Sequence, residues 1–438
     1  MVAASLSKKR AAPTDTSESE GSSNGAKIQK VHPFFSKEQG DKEGPFRWLK
    51  PFGRKKTCLH AVHLEPKSVS KVAAFDLDGT IIKSSFAKGT AKSPPSFEWW
   101  HASVPQKLKQ VHEEGFSIVI ISNQAIRATE LPKWKQKLAL IAESLPAVPF
   151  RVFAATAKDE YRKPMLGMWH ELENIFKEDG VEVIDKSTSF FVGDAAGRQY
   201  GAGRADFSST DRKWALNIGI PFFTPEEYFL GRPSHDKYEL PGFRASEMNG
   251  EYKHIAKSDA TPVVVEDAAQ EVVIFVGYPC LGKSTFYRKH FAPRGYTYIN
   301  QDVLGTRPKC VKALREALSG GTSCAVDNTN RDAATRRHYT AVAKEMDVPV
   351  RCFVFTGSLE LAWHNNLYRA YNLPPSVAAT EPPREIIPYT AFTSFRSSYE
   401  EPDAEKEGFK EVRKVGWVFE GSPEEQRYWE MWLQIDGK

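Results

Sequence analysis

The stretch AAFDLDGT, residues 73–80, places two carboxylates directly after a short apolar run. The run VAAF (72–75) has the composition of a buried strand, and Asp76, Asp78 and Thr80 follow it. Two carboxylates at this spacing suit covalent phosphoryl chemistry: Asp76 would attack phosphorus, and Asp78 would protonate the leaving oxygen and then activate water. The alternative is that the Asp-Gly pair only forms a turn after the strand.

Further polar residues follow three other apolar runs in the same part of the chain, SIVII (117–121), RVFAAT (151–156) and SFFVG (189–193). In open α/β sheets, ligands bind at the carboxyl ends of the strands. The predicted phosphate-binding residues are Thr80, Ser122 and Asn123. Lys163 would neutralise the phosphate, and the predicted Mg²⁺ ligands are Asp76, Asp78 and Asp194. Taken singly, Lys163 also fits a surface charge, and Ser122 fits a strand cap.

The second half of the chain contains GYPCLGKST, residues 277–285, between the apolar run VVIFV and the helical stretch STFYRKHF. This context is the one a P-loop requires, because the loop wraps the phosphates and the following helix presents its amides. The predicted ATP-binding residues are Gly277, Gly282, Lys283, Ser284, Thr285 and Arg369. Lys283 would reach the β and γ phosphates, and Ser284 would ligate Mg²⁺.

Phosphoryl transfer to an alcohol also needs a base and cations. Asp302, in YINQDVLG, follows the next predicted strand and is the candidate base; its alternative interpretation is a helix N-cap. Arg369 is the preferred cation for the ATP phosphates, ahead of Arg331, Arg336 and Arg337, although any of them also fits a surface charge. Asn328 and Asn330 of VDNTN fit either an acceptor site or a turn.

Composition sets the organisation of the 438 residues. Both halves alternate strand and helix patterns, which predicts α/β folds with largely parallel sheets. We predict a disordered tail at 1–45, a phosphatase domain at 46–245, a linker at 246–268 and a P-loop kinase domain at 269–438.

The five cysteines form no CxxC pair, which favours a reducing compartment. No apolar run is long enough for a membrane span, and the net charge of +5 permits nucleic acid as a partner without requiring it.

The first set of motifs resembles the haloacid dehalogenase superfamily, which implies a Rossmannoid phosphatase fold with Asp76 as nucleophile. The whole chain from about residue 46 resembles the eukaryotic polynucleotide kinase 3′-phosphatases. That resemblance rests on FDLDGT, ISNQ, RKPMLGMW, FVGDAAGR and DFSSTDRKWALNIGIPFFTPEEYF in the first half, and on VGYPCLGKSTF, NQDVLG, VDNTN and HNNLYR in the second. It implies removal of 3′-phosphates from DNA and ATP-dependent phosphorylation of 5′-hydroxyls, with Mg²⁺. The implied partners are DNA ends at nicks, gaps and double-strand breaks.

Three departures from the family matter. Animal members begin with a forkhead-associated domain, which the polar residues 1–45 are too few to form. The P-loop interior, residues 278–281, is bulkier than usual, and Trp363 and Leu367 stand where animal members tend to have arginines. We therefore expect activity to be retained with altered electrostatics near ATP.

Recruitment of the enzyme would then depend on the tail. Its segment IQKVHPFFSK (28–37) has the spacing of a sliding-clamp-binding peptide in residues 28–35, which would plug a hydrophobic pocket with an aromatic pair. The alternative is that Phe34 and Phe35 dock on the phosphatase domain. The basic cluster at 8–10 fits a nuclear import signal or a solvated charge run. We expect a nuclear monomer.

Two rival functions remain open from the sequence. The same folds would serve an RNA end-healing enzyme or a small-metabolite kinase fused to a phosphatase, because the motifs do not fix the substrate. A scaffold without catalysis would require loss of the catalytic residues, and the sequence retains all of them.

Overall fold

The computed structural model describes residues 44–84, 94–201, 203–245, 248, 263–264 and 270–434. The chain divides into two units, residues 1–44 and 45–438. All the helices and strands given below lie in the second unit. Most of the predicted tail and most of the predicted linker fall outside the described residues.

The first part of this unit contains a seven-stranded sheet and a short two-stranded hairpin. The strands are β1 (Phe46–Phe52), β2 (Cys58–His63), β3 (Val72–Phe75), β4 (Ser117–Asn123), β5 (Phe150–Ala155), β6 (Phe190–Val192), β7 (Gln199–Gly201), β8 (Arg204–Ala205) and β9 (Phe222–Phe223). The sheet order is β1-β2-β5-β4-β3-β6-β9. Strands β5, β4, β3, β6 and β9 are parallel, whereas β1 and β2 add an antiparallel edge.

Five helices accompany this sheet: α1 (Val104–Glu113), α2 (Leu131–Glu143), α3 (Gly167–Glu178), α4 (Thr210–Ile218) and α5 (Pro225–Leu230). Residues on the two faces of the sheet alternate between two apolar clusters. Val119 and Ile121 belong to one cluster, and Ile118 and Ile120 belong to the other. Burial on both faces explains why the central strands are apolar runs without polar alternation.

The second part contains a five-stranded parallel sheet, in the order β11-β12-β10-β13-β14. Its strands are β10 (Val272–Val276), β11 (Thr297–Ile299), β12 (Cys324–Asp327), β13 (Val350–Thr356) and β14 (Glu411–Gly416). The α-helices are α6 (Lys283–Phe286), α7 (Gln301–Leu304), α8 (Arg307–Ser319), α9 (Ala333–Glu345), α10 (Leu359–Tyr371), α11 (Pro375–Ala378), α12 (Tyr389–Ser398), α13 (Ala404–Glu407) and α14 (Pro423–Trp429). A π-helical turn (Tyr287–Phe291) and a 3-10 turn (Ala292–Arg294) continue α6.

The α/β class and the parallel sheets are confirmed. In the second half the sequence also predicts strands at 296–300, 323–327 and 351–356. Each of the eight predicted strands overlaps an observed one, and the carboxyl ends of the parallel strands carry the polar residues singled out from the sequence. The observed strands that were not predicted are β1, β2, β7, β8, β9 and β14. The domain boundaries stay a prediction.

Arg336 of α9 is a structural residue. Its side chain is 0% exposed and donates two hydrogen bonds of 2.7 Å to the Glu407 carboxylate. It also donates to the carbonyl oxygens of Asn330 and Glu400, at 3.1 and 3.0 Å. These contacts occupy the guanidinium with the packing of α9 against α13, so the structure gives Arg336 no role as a cation for ATP.

Replacing Arg336 with methionine should lower the free energy of unfolding by about 3–5 kcal/mol, because the Glu407 carboxylate would be left without its partner. Denaturant titration of the purified chain measures the change. The neighbouring variant Arg337→Met is the matched control, since Arg337 is exposed on the same helix. Equal stability of the two variants would contradict the assignment.

Candidate active sites

The first site is centred on an ion pair between Asp76 and Lys163. Asp76 follows β3, and its Oδ1 accepts a hydrogen bond of 2.6 Å from Lys163 Nζ. The same ammonium lies 2.7 Å from Oδ1 of Asp211 and donates to the carbonyl oxygen of Ile121 at 2.9 Å. The Lys163 side chain is 1% exposed, so three oxygens replace its water shell. A cation held this way favours the ionised form of a neighbouring carboxylate.

Asn123, at the end of β4, holds the backbone of Lys163. Its Oδ1 accepts from Lys163 N at 2.9 Å, and its Nδ2 donates to Lys163 O at 3.0 Å. The sequence predicts Asn123 as a phosphate ligand, whereas the structure engages both amide atoms with the lysine. Ser122 Oγ accepts a hydrogen bond of 2.7 Å from Gln124, and Thr80 Oγ1 is buried without a hydrogen-bond partner among the described residues.

Three carboxylates surround the ion pair. Asp76, Asp194 and Asp211 each offer an oxygen within 4.8 Å of the others. Gly79 makes this approach possible, because its φ is +91° and a Cβ there would lie 2.1 Å from Asp194 Oδ2. Two or more carboxylates around one point are the oxygen ligands that Mg²⁺ prefers. The donor set therefore fits that ion.

Charge in this cluster is unbalanced. Burial raises the pKa of Asp76 to about 7, against the opposing effect of Lys163. Burial, together with the charges of Asp76 and Asp211, raises the pKa of Asp194 well above its ordinary value. Burial is the main cause of both raised pKa values, and the neighbouring carboxylates add to it; a divalent cation would supply positive charge that favours the ionised forms.

Asp78 lies apart from these three carboxylates. Its Oδ2 accepts a hydrogen bond of 2.7 Å from Gln124, and its Oδ1 lies 3.4 Å from the ammonium of Lys137. Its side chain is 30% exposed, which suits a residue that exchanges protons with a substrate and water. The predicted metal set of Asp76, Asp78 and Asp194 thus differs from the observed grouping, in which Asp211 takes the place of Asp78.

Asp211 is a residue that sequence reasoning missed. It lies in the first turn of α4, and its Oδ2 accepts from the backbone N–H of Ala195, at 3.0 Å. One carboxylate therefore joins the Lys163 ammonium to the loop after β6. The long motif DFSSTDRKWA contains Asp211 and could have indicated it. Asp211 was not selected because, unlike the other carboxylates, it does not directly follow a predicted strand.

The second site is the loop between β10 and α6. Lys283 Nζ donates to the carbonyl oxygens of Gly277 and Tyr278, at 3.0 and 2.6 Å, and so closes the loop on itself. Gly277 has φ +155°, and a Cβ there would lie 2.9 Å from Phe355 Cβ. Gly282, at φ +83°, begins α6. Burial lowers the pKa of Lys283, because desolvation disfavours the charged ammonium.

Ser284 and Asp327 form a second pair suited to Mg²⁺. Ser284 Oγ donates to Asp327 Oδ2 at 2.5 Å, and the Tyr298 hydroxyl donates to the same oxygen at 2.6 Å. Asp327 ends β12, the strand beside β10, so the sheet brings it to the loop. A hydroxyl and a carboxylate at this place are the ligands that P-loop enzymes use for Mg²⁺. Asp327 was not predicted as a site residue.

A cavity of about 840 Å³ adjoins this loop. Among the predicted residues, it is lined by Gly282, Lys283, Ser284, Thr285, Asp302 and Arg369. Thr285 is exposed, and its Oγ1 accepts from Arg288 at 3.1 Å. Arg369, in the last turn of α10, has a buried Nε without a hydrogen-bond partner in the part of the chain that the structure describes. Arg369 is one of the residues that line the cavity.

Asp302 is exposed at the wall of this cavity, in the first turn of α7. The alternative interpretation of Asp302 as a helix N-cap is wrong. The cap is Asn300, whose Oδ1 accepts from the backbone N–H groups of Asp302 and Val303, at 2.9 and 3.2 Å. The Asp302 carboxylate is therefore left for another partner. Asn328 has a structural contact, since its Oδ1 accepts from Gln301 N at 2.8 Å.

Within the described ranges, no helix has both the length and the apolar composition needed to cross a membrane.

Comparison with known proteins agrees with the two sites. The family model described as polynucleotide kinase 3 phosphatase matches residues 71–229, and a model described as AAA domain matches residues 306–382. The bifunctional polynucleotide phosphatase/kinase of Schizosaccharomyces pombe is 36% identical over 379 residues, which covers 84% of each chain. A relative from Acanthamoeba polyphaga mimivirus is 32% identical over 388 residues, covering 82% of this chain and 87% of its own. A polynucleotide 3′-phosphatase of Arabidopsis thaliana is 36% identical over 180 residues, 36% of this chain and 24% of that protein. The chain therefore belongs to the bifunctional polynucleotide phosphatase/kinase family.

Proposed function

We propose that this protein heals DNA strand breaks with two separate active sites. The first site would remove 3′-phosphates, and the second would phosphorylate 5′-hydroxyls with ATP. The observation that carries the proposal is the presence, in one member of this family, of a buried Asp76–Lys163 pair at one sheet and a P-loop at the other. Both sites retain groups for every proton and charge that the two reactions require.

In the first reaction, an oxygen of Asp76 forms a bond to phosphorus while the bond from phosphorus to the 3′-oxygen breaks. Asp78 donates a proton to that leaving oxygen, which becomes the 3′-hydroxyl of DNA. Water then attacks the acyl phosphate, Asp78 takes its proton, and inorganic phosphate leaves from Asp76. Lys163 offsets the charge throughout, and Asn123 fixes its backbone. Ser122 and the unpaired hydroxyl of Thr80 are the proposed donors to the phosphate oxygens.

In the second reaction, Asp302 accepts the proton of the 5′-hydroxyl, whose oxygen attacks the γ-phosphorus of ATP while the bond to ADP breaks. Two donors of the Lys283 ammonium hold loop carbonyls, and the third remains for phosphate. Arg369 would offset charge on the transferred group, and the backbone at Gly277 and Gly282 would wrap the phosphates.

Mg²⁺ is the proposed cofactor at both sites. Asp76, Asp194 and Asp211 would supply its ligands in the first site, and Ser284 and Asp327 in the second. When bound, the ion offsets negative charge on the phosphoryl group.

The proposed partners are DNA ends at nicks, gaps and double-strand breaks, and the proposed location is the nucleus, with the protein acting as a monomer. The clamp-binding interpretation of residues 28–35 lies outside the described residues. Binding of a peptide of residues 24–40 to a sliding clamp tests it, and the absence of measurable binding would remove it.

The direct test of function uses the pure protein with Mg²⁺, ATP and a nicked DNA duplex bearing a 3′-phosphate and a 5′-hydroxyl. We expect both ends to be converted on the same gel. If neither end changes while an RNA or a small phosphate ester reacts, the DNA substrate is wrong and the folds serve another reaction.

Asp211→Asn should lower the 3′-phosphatase rate by at least about 10-fold to 100-fold, the usual cost of losing even an outer partner of a metal ligand, because this variant loses a proposed Mg²⁺ ligand that also contacts Lys163. The 5′-kinase rate should not change. Parallel assays of both activities in one preparation measure this, with the exposed Asp236→Asn as the control. A wild-type phosphatase rate in Asp211→Asn would show that the contact with Lys163 is dispensable.

A further inference from the structure

Helix α4 holds the loop that carries Lys163 in two places. Near its start, Asp211 contacts the ammonium of Lys163 at 2.7 Å. Near its end, Asn217 Nδ2 donates a hydrogen bond of 2.9 Å to the carbonyl oxygen of Pro164, the residue after Lys163. This one helix therefore contacts both the side chain of Lys163 and the backbone of the residue that follows it.

The other hydrogen bonds of Asn217 go to residues that follow α14. Its Nδ2 donates to Trp432 O and its Oδ1 accepts from Trp432 N, both at 2.8 Å. Both amide hydrogens are thus used, one on each side, and Asn217 is 7% exposed. This carboxamide joins the Lys163 loop to the residues 430–434, which we term the carboxyl-terminal segment.

The carboxyl-terminal segment is packed into the apolar cluster beside the first sheet. Met431 and Leu433 are buried in the same cluster as Trp169 and Trp214. The carboxyl-terminal segment therefore makes apolar contacts with the cluster beside the first sheet and polar contacts with Asn217, which belongs to the same part of the molecule.

The residue just before the carboxyl-terminal segment, Trp429, is linked to the P-loop. Trp429, at the end of α14, lines the cavity of the second site, and its Nε1 donates to Asn365 Oδ1 at 2.8 Å. Asn365 Nδ2 in turn donates to the carbonyl oxygen of Cys280, inside the P-loop, at 3.1 Å. A continuous path of hydrogen bonds and three peptide units thus runs from the P-loop to Asn217.

We propose that Asn217 is a positioning residue for the 3′-phosphatase, through which the carboxyl-terminal segment of the kinase fold holds the Lys163 loop in its productive place. This inference rests on the proposed phosphatase function. The hydrogen bonds of the Asn217 side chain within the described residues go to Pro164 and Trp432, and none goes to Asp76. Asn217 acts on the rate through the placement of Lys163, since small misplacements of a catalytic group cost up to about 100-fold in rate.

The test compares four proteins: the full-length wild type, full-length Asn217→Ala, a chain ending at Met431, and the two changes combined. Each preparation is assayed for phosphatase kcat and KM on a 3′-phosphorylated oligonucleotide, for 5′-kinase rate, and for melting temperature. The chain ending at Met431 keeps Trp429 and its contact with Asn365. It therefore removes the Trp432 contacts of Asn217 while leaving the P-loop side in place.

We expect Asn217→Ala to lower phosphatase kcat by about 10-fold to 100-fold with KM and the kinase rate unchanged. The truncation should also lower kcat, and it should add little to Asn217→Ala, because both act through one contact. Equal losses of both activities would show a merely structural role and overturn the inference. So would a wild-type kcat in Asn217→Ala, or independent, multiplicative losses in the combined variant. Failure of the wild type to release 3′-phosphate would instead reject the proposed function itself.

Discussion

Asp76→Asn is expected to lower the 3′-phosphatase rate by at least about 10⁴-fold, since the variant loses the residue that we propose forms the covalent intermediate. Asparagine has the same shape, and Lys163 keeps its contacts with Asp211 and Ile121, so the fold should be retained. The 5′-kinase rate of the same preparation should equal that of the wild type. Release of phosphate from a 3′-phosphorylated oligonucleotide measures the loss.

Asp78→Asn separates the role of nucleophile from that of acid and base. This variant keeps the proposed nucleophile, Asp76, but lacks the group that protonates the leaving 3′-oxygen and later takes the proton from water. Both steps should therefore slow, and the acyl phosphate that does form should persist. With a 3′-phosphate labelled with ³²P, label should stay on the Asp78→Asn protein and be absent from Asp76→Asn. Label on the Asp76→Asn protein would show that another group attacks phosphorus. So would a phosphatase rate of Asp76→Asn that falls by less than about 10⁴-fold from the wild type.

The sequence predicted the site residues that follow strands directly. Asp76, Ser122 and Asp194 come immediately after, or within, apolar runs that the structure shows as β3, β4 and β6. Parallel strands bring their carboxyl ends to one edge of the sheet, so a strand pattern and a polar residue after it are enough to place these side chains. We could therefore predict that these residues lie at one edge of the sheet without knowing the conformation of the loops.

Asp211 and Asp327 escaped prediction because their positions depend on tertiary packing. Asp211 lies on α4, and its approach to Lys163 follows from how that helix packs beside β6. Asp327 faces the P-loop because β12 pairs with β10, and the order of strands in a sheet is not written in local patterns. The motif that contains Asp327 therefore indicated a turn as readily as a site.

The antiparallel edge, β1 and β2, was missed for a different reason. Strand β1 has the sequence FRWLKPF, with a lysine and a proline among half-buried residues. Charged residues and proline are common on edge strands, where they prevent pairing with other chains, and the same residues weaken the pattern of a strand. The pairing of β1 with β2 therefore could not be predicted from the sequence pattern and is shown by the structure.

Lys283→Met is expected to lower the 5′-kinase rate by about 10²-fold to 10³-fold, the usual cost of removing one charged or polar group that stabilises a transition state. The methionine side chain fits the same buried space but cannot donate to the carbonyls of Gly277 and Tyr278, nor to phosphate. Part of the loss should therefore come from the loop, which loses the two bonds that close it. Transfer of labelled γ-phosphate from ATP to a 5′-hydroxyl oligonucleotide measures the rate.

Separate measurements of kcat and of ATP binding distinguish the two roles of Lys283. If the ammonium acts on the transferred phosphate, kcat falls most; if it only shapes the loop, ATP affinity falls and kcat recovers at saturating ATP. The control is Lys312→Met, an exposed lysine on α8 whose loss should leave the kinase rate unchanged. The phosphatase rate of Lys283→Met should equal that of the wild type, because the first site has its own lysine. Kinase activity at the wild-type level in Lys283→Met would contradict the assignment of the P-loop as the ATP site.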